Sequence, residues 1–210
     1  MCSATRILFC LMLGAPGALA ALPAGAPAAD PPKMRDTLSA QLFPMKVGAK
    51  WVYAFDAKEV VFEVLRTEKT KENAKVFVVR RTLDKVEVDF RLSVEEDGVY
   101  IHKEGDKKFS PPLRQFAFFA RTGDVWKWDG TSGGKKLKER FEHLGVEEIT
   151  VPAGTFNTVA VERSNPDTAD HTTFWLARDV GVVRLSGKTE LLAATLVTFE
   201  WRLKSYTPGK

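Results

Sequence analysis

The strongest constraint on the fold is a period of two in the hydrophobic pattern. Between residues 86 and 94, apolar side chains at every second position alternate with charged or hydroxyl side chains. Successive side chains of a β-strand point to opposite faces, so this pattern predicts a strand with one buried and one solvated face. The apolar positions are Val86, Val88, Phe90, Leu92 and Val94.

The same alternation recurs along most of the chain. It is present at Trp51, Tyr53 and Phe55 and again between Thr195 and Leu203, and turn residues separate the runs. The pattern predicts about ten to twelve short strands and little helix. One-sided strands belong to antiparallel sheets, and a large flat sheet leaves exposed edges. We therefore expect a mainly β fold built from a single strongly curved antiparallel sheet, half-barrel or barrel-like.

Residues 1–20 have the features of a secretory signal peptide. Arg6 precedes an uncharged apolar run, and Ala18-Leu19-Ala20 fits the small-residue pattern before a cleavage site. Residues 21–36 are rich in Ala and Pro, which predicts a flexible tether, and residues 37–210 are the predicted single β-rich domain. We expect export to the periplasm or the extracellular space, with no transmembrane span after cleavage; an uncleaved anchor is the alternative.

The positions of the cysteines and the net charge limit the kinds of site and partner that we expect for this chain. Cys2 and Cys10 both lie in the signal-like segment, so the mature chain is predicted to contain no disulfide, thiolate metal site or cysteine nucleophile. The formal net charge is +4, with Lys and Arg scattered among Asp and Glu. Nucleic-acid-binding domains are more basic and more clustered. We expect no nucleic-acid partner, no metal and no cofactor.

A nine-residue pattern occurs twice. Residues 43–51 and 118–126 share the sequence Phe-x-x-(Lys/Arg)-x-Gly-x-x-Trp. Glycine permits a turn with positive φ, and the tryptophan three residues later can anchor the strand that follows. The two copies suggest two similar β-meanders.

Three motifs, in this order, resemble a known family. They are Phe43-Pro44-Met45-Lys46-Val47-Gly48-Ala49-Lys50-Trp51-Val52-Tyr53, Val151-Pro152-Ala153-Gly154-Thr155-Phe156, and Trp175-Leu176-Ala177-Arg178-Asp179-Val180-Gly181-Val182-Val183. Together they resemble the bacterial exported domain-of-unknown-function 3108-like (TapB-like) group. The resemblance implies a mostly antiparallel β fold, similar to the curved sheets of the periplasmic lipoprotein carriers, and no catalytic residue. We interpret its hallmark positions as structural: Phe43, Pro44, Gly48, Trp51, Tyr53, Pro152, Gly154, Phe156, Trp175 and Gly181.

An aromatic cluster supplies the candidate ligand-binding residues. An aromatic-lined concave face can hold a lipid acyl chain or a hydrophobic peptide. The alternative interpretation is that these rings fill the core of the curved sheet. The cluster contains Phe109, Phe116, Phe118, Phe119, Trp126 and Trp128.

Catalytic motifs are scarce. The chain has no Gly-x-Ser-x-Gly nucleophile turn and no pair of histidines in metal-ligand spacing. The one candidate is His171, which shares a polar loop with Asp167 and Asp170, since a carboxylate beside an imidazole can bind a metal or act as a general base.

Three hypotheses about function follow. The favoured one is a non-enzymatic exported cell-envelope domain that binds an apolar ligand, either a lipid or a hydrophobic peptide. The second is a structural or adaptor module that contacts an envelope protein. The third is a hydrolase that uses His171 with Asp167 or Asp170.

Overall fold

The computed structural model describes residues 40–70, 73–191 and 195–210. The predicted signal peptide (1–20) and tether (21–36) lie outside these residues. Among the described residues, no helix is long and apolar enough to cross a membrane.

The described chain is almost entirely β-structure, as predicted. A single 3-10 turn, Ala40–Leu42, precedes twelve strands. The strands are β1 (Lys50–Phe55), β2 (Lys58–Lys69), β3 (Lys75–Leu83), β4 (Val86–Val94), β5 (Gly98–Glu104), β6 (Lys107–Ala117), β7 (Val125–Ser132), β8 (Lys135–Val151), β9 (Gly154–Ser164), β10 (His171–Ala177), β11 (Gly181–Leu191) and β12 (Thr195–Thr207).

Each strand pairs with its neighbours in sequence, and the first strand pairs with the last. β1 runs antiparallel to β12, with Trp51 opposite Tyr206 and Tyr53 opposite Leu203. The result is a closed antiparallel barrel. The expected strand number and curved sheet are confirmed, in the barrel form. Pairing of β1 with β12 leaves neither end of the meander as a free sheet edge, which explains how so many one-sided strands coexist.

The period of two sorts side chains between the barrel interior and its outer surface. Trp51 lies opposite Phe62, so these aromatic residues share the inner face of β1 and β2. Positions of the other parity carry charges: Arg80 lies opposite Asp89 and contacts it at 2.8 Å between Nε and Oδ1. The alternation seen in the sequence is therefore the division between an apolar inside and a charged outside.

The turns alternate between the two ends of the barrel because consecutive strands are antiparallel. The β1–β2, β3–β4, β5–β6, β7–β8, β9–β10 and β11–β12 connections lie at one end, which we call the mouth end. The others lie at the opposite end, which we call the plug end because residues 42–45 pack there. Leu42 is buried, and the Phe43 ring lies 4.7 Å from that of Phe116.

The junction between β6 and β7, which we call the β6–β7 seam, has few paired residues. Only Phe109 and Ser110 of β6 pair with β7, because the next two residues, Pro111 and Pro112, have no N–H to donate. Two indoles replace the missing ladder. Trp128 Nε1 donates to both proline carbonyls, each at 3.2 Å, and Trp126 Nε1 donates to the Arg114 carbonyl at 3.2 Å.

The motifs that carry the family resemblance meet at the plug end. Trp51 Nε1 donates to the Val180 carbonyl at 2.6 Å, and the Tyr53 hydroxyl donates to the Val182 carbonyl at 2.7 Å. Gly181 lies between these two carbonyls and has a φ of 94°. Burial raises the pKa of the Tyr53 phenol, so it remains a hydrogen-bond donor. The first and third motifs therefore join β1 to the β10–β11 turn.

The remaining hallmark residues also lie in turns and packed positions. Pro152 and Gly154 belong to the tight β8–β9 connection, and Phe156 packs against the buried core. Trp175 is buried, and its Nε1 donates to Glu147 Oε1 at 2.5 Å.

The two glycines of the repeated pattern occupy equivalent turns. Gly48 and Gly123 have φ values of 83° and 86°, a region that glycine enters without steric strain. Trp51 is buried, and Trp126 stacks on Phe141 with the ring planes 5° apart. In both copies the tryptophan thus packs at the start of a new strand.

Candidate functional site

The barrel encloses a cavity of about 770 Å³. This volume lies within the range of about 300–1,000 Å³ that small-molecule sites occupy. Lys188, which is exposed, lines the cavity together with Thr189 near the mouth end of β11. The cavity therefore reaches solvent on that side.

Most of the cavity wall is apolar and aromatic. Strands β1, β2, β4, β6, β10 and β12 contribute most of these rings from their inward-facing positions. Such a wall offers dispersion contacts and no charge, which suits an apolar chain. The aromatic lining residues are Phe43, Trp51, Tyr53, Phe55, Phe62, Phe90, Phe109, Phe116, Phe174, Phe199 and Trp201.

Charged side chains line the cavity only toward the mouth end. Arg163 Nη2 contacts Glu139 Oε1 at 2.6 Å, and the Glu139 side chain is 5% exposed. Arg81 places its guanidinium over the Phe90 ring, 5.4 Å from the centroid. The other charged lining residues, Glu104, Asp170 and Lys188, also lie at or near the mouth-end termini of their strands.

Gln115 is the polar exception near the plug end. It lines the cavity two residues before β6 ends, and 4% of its surface is exposed. Neither Oε1 nor Nε2 has a hydrogen-bond partner within the part of the chain that the structure describes. Sequence reasoning missed this residue. The available signal was an uncharged polar side chain directly before the apolar run from Phe116 to Ala120.

The structure separates the six predicted ligand-binding aromatics. Phe109 and Phe116 line the cavity. Trp126 and Trp128 lie on the β6–β7 seam described above, and neither they nor Phe118 belong to the cavity lining. Phe119 is 71% exposed and has a φ of 67°, so it points away from the interior. That these residues bind a ligand stays a prediction, and only two of them contact the cavity.

The polar loop between β9 and β10 lies at the mouth end. Asp170 and His171 line the cavity there, whereas Asp167 does not and is exposed. No group of three or more His, Cys, Asp or Glu side chains in metal-binding proximity occurs among the described residues. Within the loop, Asp167 N donates a hydrogen bond to Asn165 Oδ1 at 2.8 Å. Hydrolytic use of His171 stays an untested hypothesis.

Comparisons with known proteins give two structural matches. One is a chain from Parabacteroides distasonis described as a lipoprotein, with a TM-score of 0.44 and 12% identity over 79% of this chain and 98% of that one. The other is a chain from Bacteroides fragilis described as an exported protein with a YmcC-like fold, with a TM-score of 0.42 and 14% identity over the same shares. No family model and no curated protein matches the chain. The resemblance to the TapB-like group therefore stays a prediction.

Proposed function

We propose that this protein is an exported, non-enzymatic cell-envelope domain that binds the apolar chain of a lipid or similar amphiphile inside its barrel. The observation that carries the proposal is the cavity of about 770 Å³ with its mostly apolar, aromatic-rich wall. Export rests on the signal-like residues 1–20.

The cavity size supports a single extended chain as the ligand. At about 30 Å³ per water-sized group, a volume of about 770 Å³ accommodates roughly 25 such groups. A methylene group has a similar size, so one acyl chain of ordinary length fits. A hydrophobic peptide would bring many backbone polar groups, each of which needs a partner that the apolar wall does not offer.

The charged mouth fits the same ligand. A ligand must pass from water into the apolar interior, and charged side chains keep the entrance hydrated. Arg81, Arg163 and Lys188 supply positive charge around the entrance, and Glu104 and Asp170 supply negative charge, while the buried Glu139 is paired with Arg163. This mixed rim can remain solvated around an entering molecule without selecting one sign of charge.

A chain-length series tests the proposal. Methyl esters of fatty acids compete with Nile red, an uncharged fluorescent probe, for the purified protein. Each buried methylene contributes about 0.8 kcal/mol, so affinity should rise about tenfold for every two carbons. The rise should stop once the chain exceeds the cavity. No displacement of the probe by any ester would contradict the proposal.

A matched pair of variants locates the binding. Ile101 lines the cavity, and Tyr100 on the same strand faces outward, where its hydroxyl donates to Asp97. Ile101→Trp should fill part of the cavity and weaken ester binding at least tenfold, whereas Tyr100→Trp should leave it unchanged. Equal affinities of the two variants would place the ligand outside the barrel.

Native mass spectrometry of the protein purified gently from its own envelope is an independent measurement, and it should detect a retained lipid-sized adduct.

A further inference from the structure

The side-chain amide of Gln115 is an anomaly in the cavity wall. Both its oxygen and its nitrogen are buried, and neither has a hydrogen-bond partner among the described residues. Buried amides are normally paired, because an unpaired donor or acceptor loses its water without compensation. Its position on the cavity surface means that an occupant of the cavity can supply the missing partners.

A β-bulge between β5 and β6 positions this amide. The register between β5 and β6 shifts between Val99 and Tyr100, whose partners are Phe116 and Arg114. Gln115 is the extra residue of the resulting bulge. Bulges interrupt the regular alternation of side chains, and here the adjacent residues Gln115 and Phe116 both lie on the cavity wall.

The surroundings restrict the chemistry of the missing partner. Gln115 lies near the plug end, next to Phe116, whereas the charged lining residues lie toward the mouth end. A charged group beside Gln115 would lose its hydration without gaining a counter-ion. The partner is therefore uncharged, and it must both accept a hydrogen bond from Nε2 and donate one to Oε1.

We propose that Gln115 determines specificity by binding the uncharged head of a single-chain amphiphile that enters the barrel head first. The head that satisfies both amide atoms is a primary amide or an un-ionised carboxyl group, because each presents a donor and an acceptor side by side. An ester only accepts, and a carboxylate only accepts and is charged. This inference rests on the proposed function, since it concerns the same cavity.

The test compares ligands with the same chain and different heads. Dodecanamide, methyl dodecanoate and dodecanoate are each titrated against Nile red bound to the domain at neutral pH. We expect dodecanamide to bind about tenfold more tightly than methyl dodecanoate, a difference of about 1.4 kcal/mol. Dodecanoate should bind no more tightly than the ester. At a pH below its carboxyl pKa, dodecanoic acid should bind about as tightly as dodecanamide. Acid binding no tighter than that of methyl dodecanoate at the same pH would restrict the head to a primary amide.

Two variants assign the preference to Gln115. Gln115→Met keeps the length of the side chain and removes both polar atoms, so it should bind amide and ester within twofold of each other. Trp201 provides the control, because its buried Nε1 is the other unpaired polar atom on the cavity wall among the described residues. Trp201→Phe should retain the tenfold preference for the amide.

The outcomes separate this inference from the proposed function. If no ligand displaces Nile red, the proposed function fails. If ester and amide bind the native protein equally, or dodecanoate binds most tightly, the chain-binding function stands and the Gln115 assignment is overturned. Loss of the preference in Trp201→Phe but not in Gln115→Met would also overturn it. The comparison of ligands on the native protein stands even if Gln115→Met does not fold.

Discussion

Replacement of Trp128 by Phe tests whether the indole hydrogen bonds hold the β6–β7 seam together. Trp128 is 6% exposed, and its Nε1 donates to the carbonyls of Pro111 and Pro112 at 3.2 Å. Phenylalanine keeps an aromatic ring beside Phe109, whose centroid lies 5.9 Å away. It removes the only side-chain donor that the structure shows for these two carbonyls within the described residues.

The expected loss in free energy of unfolding is about 2 kcal/mol. A hydrogen bond contributes a net of about 0.5–1.5 kcal/mol, and the smaller ring leaves a void that adds a comparable amount. For a chain of this length, 1 kcal/mol shifts Tm by about 2–4 °C. Trp128→Phe should therefore lower Tm by about 4–8 °C. Urea unfolding followed by circular dichroism measures the change in free energy.

Trp201→Phe is the matched control. The ring changes in the same way at Trp201, which lies on the cavity wall, but Trp201 Nε1 has no hydrogen-bond partner among the described residues. The difference between the two variants, about 1 kcal/mol, isolates the hydrogen bonds. Hydrogen exchange should also show faster opening of β6 and β7 in Trp128→Phe alone. Equal destabilisation by the two variants, with unchanged exchange at the seam, would refute the idea that indole donors replace the missing ladder.

Three further predictions follow from single positions. Gly130→Ala should destabilise the fold by about 1–3 kcal/mol in urea unfolding, because an added Cβ would lie 2.5 Å from the Trp128 ring; a neutral effect would contradict the tight packing there. Tyr53→Phe should cost about 1 kcal/mol in the same assay, since the buried Val182 carbonyl loses its donor; an unchanged midpoint would contradict this. Burial lowers the pKa of His102, so the unfolded chain binds a proton at His102 more readily than the folded chain does. The contribution of His102 to the free energy of unfolding is therefore complete above the usual pKa of about 6.5, and it falls as the pH drops below that value. An NMR titration of His102 with a midpoint above that value would contradict the third prediction.

The fold class could be predicted from the sequence, because the inward-facing positions of the strands carry apolar residues at every second position. Val86 to Val94 forms a regular strand, and its alternation is the division between the inner and outer faces. Closure was less accessible. The pairing of Tyr53 with Leu203 depends on strands far apart in the chain, and no local pattern records which strand β1 will meet. The sequence therefore left half-barrel and barrel as equal alternatives.

The candidate site was only partly predictable for a different reason. Phe109 and Phe116 occupy inward positions of β6 and line the cavity, but the neighbouring Trp126 and Trp128 serve the seam that Pro111 weakens. A hydrophobic cluster in the sequence shows which side chains leave water, and it does not show which of them face a ligand. Phe119 shows the opposite limit, because its left-handed turn conformation exposes a ring that composition alone would bury.

The pairing of the first strand with the last has a consequence for how the chain acquires its structure. During synthesis at about 5–20 residues per second, the roughly 150 residues between Tyr53 and its partner Leu203 take about 8–30 s to appear. Throughout that time one edge of β1 lacks its hydrogen-bonding partner, while the meander behind it grows by local hairpins. An unpaired edge beside Trp51 and Tyr53 is a template for association with another chain. Aggregation during folding should therefore begin at β1, and a short peptide with the sequence of β12 should suppress it by occupying that edge.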